Sequence, residues 1–120
     1  MKLRLHSNTL RLRLSQSEVS RLAESGQVQE TITFAPGQTF SYSIEARPEA
    51  EVGALLESNR VRIVLPAAVA KNWMESDQTG VEGSTATLRV VVEKDYQCLH
   101  RESEEDADAF PNPLPRCNPF

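Results

Sequence analysis

The sequence LHSNTLRLRLSQSEVSRLAESGQ, residues 5–27, decides the fold because the chain contains a second version of it 51 residues later. That second version is LESNRVRIVLPAAVAKNWMESDQ, residues 56–78. The two segments align without a gap and share 8 identical residues in 23 positions. Several mismatches keep their apolar character, such as Leu12 against Ile63. Similarity at a fixed period is the signature of repeated structural units, so we predict two similar units in this chain.

Alternating side chains predict that the first unit opens with a β-hairpin. Residues 2–14 alternate between leucine and polar or charged residues, interrupted by Ser7 and Asn8. This pair suits a tight turn, because asparagine tolerates positive φ. A second alternating pair follows, joined by Pro36 and Gly37 in the order typical of a type II turn.

A capping box predicts a short helix between these two hairpins. Ser15 and Glu18 have the spacing in which each side chain accepts a backbone amide of the other residue. Val19 and Leu22 begin an apolar stripe, and Gly26 suits the position just after the helix. The first unit is therefore predicted to run β-β-α-β-β.

The second unit is predicted to follow the same order. Residues 52–57 alone are compatible with a helix, but their alignment with the first hairpin favours a strand. Pro66 suits the first position of the second helix, and a turn is expected at Gly83 and Ser84. A strong strand should follow over residues 85–94.

The repeat ends at residue 94, so we predict a single domain over residues 1–94 that contains repeats over 2–46 and 52–94. Residues 95–120 hold four of the seven prolines and a run of acids, which predicts an extended, Pro-rich acidic tail. The expected fold class is α+β, mostly β.

Composition and charge narrow the class of protein. The chain has 120 residues, 39% of them apolar, and a net charge of −4, which is ordinary for a globular domain. The longest apolar run, near residues 64–70, is far shorter than the ~20 residues of a membrane span, and no signal peptide is visible. We therefore expect a cytosolic protein that does not contact a membrane. The negative charge disfavours a large DNA-binding surface, although residues 1–14 are basic and residues 101–108 are acidic.

The predicted unit resembles the swapped-hairpin fold of the AbrB and MazE family, which comprises bacterial transition-state regulators and antitoxins. The resemblance rests on residues 7–12 with Glu18 and Val19, and on residues 58–63 with Pro66. In that family two chains exchange hairpins to complete one barrel. The resemblance therefore implies a barrel closed within one chain, over residues 2–94.

Arginines carry the DNA contacts that this resemblance implies. DNA contacts in the family come from basic residues of the first hairpin and its strands, and clustered cations neutralise phosphates. The matching residues are Arg4, Arg11, Arg13, Arg60 and Arg62. The alternative is a solvated face whose arginine stems cover apolar surface. Our main interpretation is a non-catalytic binding module, monomeric or dimeric, with a DNA-binding regulator as one alternative.

The tail offers a second candidate surface. In antitoxins of the resembled family an extended acidic tail grips a partner protein, and this tail is similar in character. Asp106, Asp108 and Phe110 are the candidate contacts to a protein partner. The acids could instead fold back over the arginines, or form a solvated end. The whole chain also resembles a small uncharacterised bacterial family that starts with MKLRL and ends near FPNP, a resemblance that implies no activity.

The tail also contains a possible metal site. Cys98, His100 and Cys117 are soft ligands of the kind that bind zinc or iron. Their spacing is not that of a standard zinc knuckle, so free thiols or a disulfide between the two cysteines are alternatives. The sequence has no glycine-rich phosphate loop, no Gly-x-Ser-x-Gly and no His-Glu-x-x-His, so no enzyme class is indicated.

Overall fold

The structure, a computed structural model, describes residues 1–48, 51–96 and 110. In these residues the elements run in the order β1 (Lys2–His6), β2 (Thr9–Leu14), α1 (Gln16–Ser25), β3 (Gln27–Ala35), β4 (Gln38–Arg47), β5 (Gly53–Glu57), β6 (Arg60–Pro66), α2 (Ala67–Glu75), β7 (Gly80–Thr85) and β8 (Leu88–Lys94). Each half of the chain thus has the predicted β-β-α-β-β order, and the α+β, mostly β class is confirmed. Neither helix is long and apolar enough to cross a membrane.

The strands form two four-stranded sheets, and each sheet combines one hairpin from each half of the chain. The first sheet has the strand order β1-β2-β8-β7, and the second sheet has the order β3-β4-β6-β5. Strands within a hairpin are antiparallel, whereas the central pairs β2–β8 and β4–β6 are parallel. The two halves are therefore interleaved through their backbone hydrogen bonds.

The two sheets do not close into the barrel that the resemblance implies, because no backbone ladder joins them in the described part of the chain. On one side β5 and β7 approach closely, so that a Cβ added to Gly83 would lie 2.5 Å from Val52 Cβ. On the other side the Met1 ammonium reaches Glu30 of β3, 2.8 Å from its Oε1. Side-chain packing and an ion pair take the place of a ladder at these two seams.

The core lies between the sheets and the helices. The central strands turn their alternate apolar residues inward, as the period of two predicts, whereas Leu5 of β1, Phe34 of β3 and Leu56 of β5 are exposed. The largest fully buried apolar side chains are Trp73, Leu12, Leu14, Leu22, Ile44, Ile63, Leu65, Val90 and Val92. Burial of each such side chain contributes about 1.5–3 kcal/mol, so this layer is the main source of stability. Trp73 also donates its Nε1–H to the Thr79 carbonyl, at 3.0 Å.

The predicted turns and cap are mostly confirmed. Ser7 and Asn8 have φ values of 45° and 58°, as a two-residue hairpin with positive φ requires. Ser58 and Asn59, at 46° and 62°, form the same turn in the second half. The capping box of α1 is present with both of its hydrogen bonds, and Gly26 ends the helix in the left-handed region.

Two boundaries in the second half differ from the prediction. Gly83 lies inside β7, and the turn follows at residues 86–87, where Ala86 has a φ of 52°. The glycine is needed for the close approach to Val52 described above, rather than for a turn. Pro66 ends β6 and caps α2, one position before the predicted place.

Candidate anion-binding site

The outer face of the first sheet brings together three of the predicted arginines. Arg4 of β1 lies opposite Arg11 of β2 in the antiparallel register. Arg13 follows Arg11 at the next position of the same face, because side chains two residues apart share a face of a strand. The parallel pairing of β2 with β8 adds Arg89, which lies opposite Thr9.

A cavity of about 70 Å³ opens on this face, and we call it the arginine cavity. The side chains that line it are Arg4, His6, Thr9, Arg11 and Arg89. None of these described lining residues is acidic. Guanidinium groups stay protonated and present several N–H donors each, while a hydroxyl and an imidazole can donate further hydrogen bonds. The lining is therefore suited to an anion.

Arg11 lines this cavity, and its Nε lies behind the cavity, towards Glu93. Its Nε is buried and has no hydrogen-bond partner among the described residues. The nearest acid, Glu93, accepts a hydrogen bond from Arg13 Nε at 2.8 Å and lies 3.6 Å from Arg11 Nε. The Glu93 carboxylate thus lies closer to Nε of Arg13 than to Nε of Arg11.

Arg89 also has an acidic neighbour, but the pair is weak. Arg89 Nη2 lies 2.9 Å from Glu82 Oε2, with both side chains more than half exposed. Exposed ion pairs contribute roughly 0–1 kcal/mol, and an external anion can compete with such a partner. The lining of the arginine cavity is therefore basic, and Glu82 and Glu93 lie outside it.

The other two predicted arginines lie on the second sheet. Arg60 donates to Gln29 Oε1 at 2.7 Å, and Arg62 donates to both carboxylate oxygens of Glu45 at 3.2–3.3 Å. Burial raises the pKa of Glu45, but the bonds and charges of Arg62 and Arg47 outweigh burial and hold that pKa below its ordinary value. The five arginines are consequently divided between two sheets.

The two sheets share the same backbone hydrogen-bond pattern, but the residues at corresponding positions differ in charge. The Arg89 N–H donates to the Asn8 carbonyl, and the Ser41 N–H donates to the Asn59 carbonyl, both at 3.1 Å. The residues of the second sheet that match the arginine cavity are Leu55, Glu57, Arg60, Arg62 and Ser41. Of the four basic residues that line the cavity, Arg11 corresponds to another arginine in the second sheet. The other three correspond to an apolar, an acidic and a hydroxyl residue. The positive charge is a property of the first sheet's side chains and not of the shared backbone.

His6 and Arg89 were not predicted as site residues. Both were assigned to strands, but Arg89 belongs to the last strand of the chain and reaches the site only because β8 pairs with β2. Two features of the sequence could have placed Arg89 in the site. It lies on the polar face of an alternating strand, and the resemblance implies an exchange of hairpins. His6 lies opposite Thr9 in the first hairpin, so its strand alternation alone could have placed it beside Arg4 and Arg11.

A second polar cluster lies where β1 meets β3, and its groups already have partners. The Met1 ammonium pairs with Glu18 and Glu30. The Tyr42 hydroxyl lies 2.8 Å from Glu30 Oε2 and 3.0 Å from the Met1 carbonyl. Burial and the neighbouring Glu30 raise the pKa of Tyr42 to about 12. Burial also raises the pKa of Glu18, but hydrogen bonds from the ammonium and from Ser15 outweigh it and lower that pKa.

A groove of about 700 Å³ lies beside the end of β8, between Val19 and Tyr96. Its polar groups are largely engaged: Lys94 Nζ donates to the Ser76 carbonyl at 2.6 Å, and Asp95 pairs with Lys2 at 3.1 Å. The groove lacks the convergence of several basic side chains that marks the arginine cavity.

The residues predicted for the tail are mostly outside the described part of the chain. Cys98, His100, Cys117, Asp106 and Asp108 all lie there, so the zinc or iron site stays a prediction. Phe110 is described and its side chain is 97% exposed. In the described residues no group of three or more histidine, cysteine or acidic side chains could hold a metal ion.

The model of a family of unknown function, DUF7009, matches residues 1–114. The chain belongs to this family. The expected membership in an uncharacterised family is thereby confirmed, and the DUF7009 match covers all residues of the arginine cavity. No curated protein and no solved structure matches the chain. The relation to the AbrB and MazE family stays a prediction.

Proposed function

We propose that this protein is a non-catalytic binding module of the swapped-hairpin type, and that it binds DNA through the outer face of its first sheet. The observation that carries the proposal is the arginine cavity, where three guanidinium groups line one small space and none of the described residues that line it is acidic. Binding by fixed cations requires no catalytic group, which agrees with the absence of catalytic sequence motifs.

The pairing of hairpins supports the relation to the swapped-hairpin regulators. In that family two chains exchange hairpins, and here the two halves of one chain pair through β2–β8 and β4–β6. We accordingly assign residues 1–94 as the folded unit, made of two repeats, and residues 95–120 as its tail. One chain then supplies both partners of the exchange, although a dimer through edge strands is also compatible.

Charge limits the strength of this binding. The first sheet presents Lys2, Arg4, Arg11, Arg13 and Arg89, but the whole chain has a net charge of −4. We expect weak, strongly salt-dependent binding that is confined to this face. The affinity should fall steeply as the salt concentration rises, because neutralising phosphates releases their counterions.

The test is a salt titration of a labelled DNA duplex, measured by fluorescence anisotropy. Arg89→Ala removes one cation of the cavity whose ion pair is exposed, so the fold should be unaffected. Arg60→Ala on the second sheet is the matched control. We expect Arg89→Ala to weaken binding and to make it less dependent on salt, while Arg60→Ala changes neither. Equal losses in both variants, or no binding at the lowest salt, would contradict the proposal.

A second proposal concerns the tail, whose Phe110 is almost fully exposed. A large apolar side chain in solvent beside acidic residues fits a segment that docks on a partner protein, with Asp106 and Asp108 as flanking contacts. Capture of a partner by the full chain, lost in Phe110→Ala and retained in Arg89→Ala, would support this role. Equal capture by both variants would count against it.

A further inference from the structure

We infer that the arginine cavity holds a terminal phosphate group, meaning a phosphate monoester or free phosphate rather than an internal phosphodiester. The inference rests on the proposed function, because it names the part of the nucleic acid that the cavity takes. It follows from the small size of the cavity, the three guanidinium groups that line it and the hydrogen bonds that hold the backbone of its walls.

The size of the cavity suits a small anion. Its volume is about 70 Å³ and it opens to solvent, so one end of a bound group can lie outside it. A phosphate monoester carries one organic substituent, which can extend into solvent through the open side of the cavity. A diester has two substituents, and a continuous strand would have to enter and leave through the same opening.

The charge of the lining also favours a monoester. A phosphate monoester carries about −1.5 to −2 charges at neutral pH, whereas each phosphate of a nucleic acid backbone carries one. Arg4, Arg11 and Arg89 converge on a single space instead of following a line of successive phosphates. Several guanidinium groups around one anion give the short, charge-assisted hydrogen bonds that phosphate oxygens accept.

Arg11 is the more buried of two cavity arginines, with a side chain 27% exposed against 54% for Arg89. Its Nε is closed off from solvent and lies 3.6 Å from Glu93 Oε1. The remaining N–H groups of its guanidinium would donate to a phosphate oxygen in the cavity, which Arg11 lines.

The walls of the cavity are held in place before any ligand binds. Asn8 Nδ2 donates to the Thr87 carbonyl at 2.7 Å and contacts Thr87 Oγ1 at 3.1 Å. These bonds tie the first hairpin to the turn before β8, and the Arg89 N–H donates to the Asn8 carbonyl. The backbone of Arg89 is thereby fixed relative to the first hairpin, so little backbone order has to be created on binding.

The experiment uses calorimetric titration of the full chain with inorganic phosphate. One phosphate should bind per chain, and Arg11→Met should lower its affinity about tenfold or more while keeping an apolar stem over the sheet. Arg62→Met, at the matching place in the second sheet, is the control and should bind phosphate as the unaltered chain does. Circular dichroism confirms that each variant is folded, and Arg89→Met repeats the test should Arg11→Met not fold.

Two DNA duplexes then separate the possible sources of the phosphate. A duplex with 5′-phosphates should bind more tightly than the same duplex with 5′-hydroxyls, and inorganic phosphate should compete with it. Binding of phosphate without any binding of either duplex would keep the cavity assignment and overturn the DNA role. Equal binding of both duplexes without competition by phosphate would overturn the terminal-phosphate assignment and keep the DNA role.

Discussion

Arg62 donates hydrogen bonds to both carboxylate oxygens of Glu45 across the parallel pair of β4 and β6. The contact joins a strand of the first half to a strand of the second half, and Glu45 is almost fully buried. This pair connects the two halves in the second sheet, as Arg13 and Glu93 do in the first.

The first prediction concerns the pH dependence of this pair. The folded state lowers the pKa of Glu45 below its ordinary value of 4.5, so its contribution to stability is present above that value and is lost as the pH falls through the lowered pKa. Glu45→Gln should lower the free energy of unfolding by about 1–3 kcal/mol at neutral pH, and by less in acid. Urea unfolding at several pH values measures the difference, with the exposed Glu57→Gln as control. A difference that stays constant down to acid pH would show that charge is not responsible.

The second prediction uses the two tyrosines of the chain. Burial and Glu30 raise the pKa of Tyr42 to about 12, above its ordinary value of 10. Neutral Tyr42 therefore stabilises the fold below pH 10, and this contribution is lost as the pH rises through 12. In Tyr96→Phe, where Tyr42 is the remaining phenol, absorbance titration should show ionisation near 12 together with unfolding. Ionisation near 10 with the fold intact would contradict the environment described for Tyr42.

The third prediction tests the close contact between β5 and β7. Gly83→Ala adds a Cβ that would lie 2.5 Å from Val52 Cβ, so β7 or the residue just before β5 must shift. Overpacking of this kind costs about 1–3 kcal/mol. Combining Gly83→Ala with Val52→Gly, which removes that Cβ, should recover part of the loss relative to the sum of the two single variants, as thermal unfolding can measure. Strict additivity would argue against direct contact.

The fourth prediction concerns the metal site expected in the tail. Elemental analysis of protein purified without a histidine tag should find about one zinc or iron per chain if Cys98, His100 and Cys117 form a site. Cys98→Ser should lose that metal, while an alteration of the core such as Arg60→Ala should retain it. Metal-free protein in every preparation would leave the cysteines as free thiols or as a disulfide.

Local features could be predicted from the sequence because local residues determine them. Alternation identified the strands of both hairpins, and Ser7 with Asn8 identified a turn that requires positive φ. The capping box at Ser15 located the start of α1 to the residue. The strand over residues 53–57 was identified by comparison with the first half, where its own composition was ambiguous.

Features that depend on contacts between distant residues were predicted less well. Gly83 was interpreted as a turn residue, because its role in making room for Val52 has no local signature. Barrel closure was expected from a resemblance, but the edges of the sheets are joined by Met1 and by packing. Arg89 was not included in the site, since its neighbours come from strands at the opposite end of the sequence.

The parallel pair β2–β8 also has a consequence for how the chain acquires its structure during synthesis. All strands of the second sheet are available once the ribosome has released residue 66, but the first sheet needs residue 94. Until then the leucine-rich first hairpin has no partner strand and exposes an edge. A large sequence separation between contacting residues slows folding, so the first sheet should be the late and rate-limiting one to form. Chaperones that recognise exposed apolar strands would act on this hairpin in that interval.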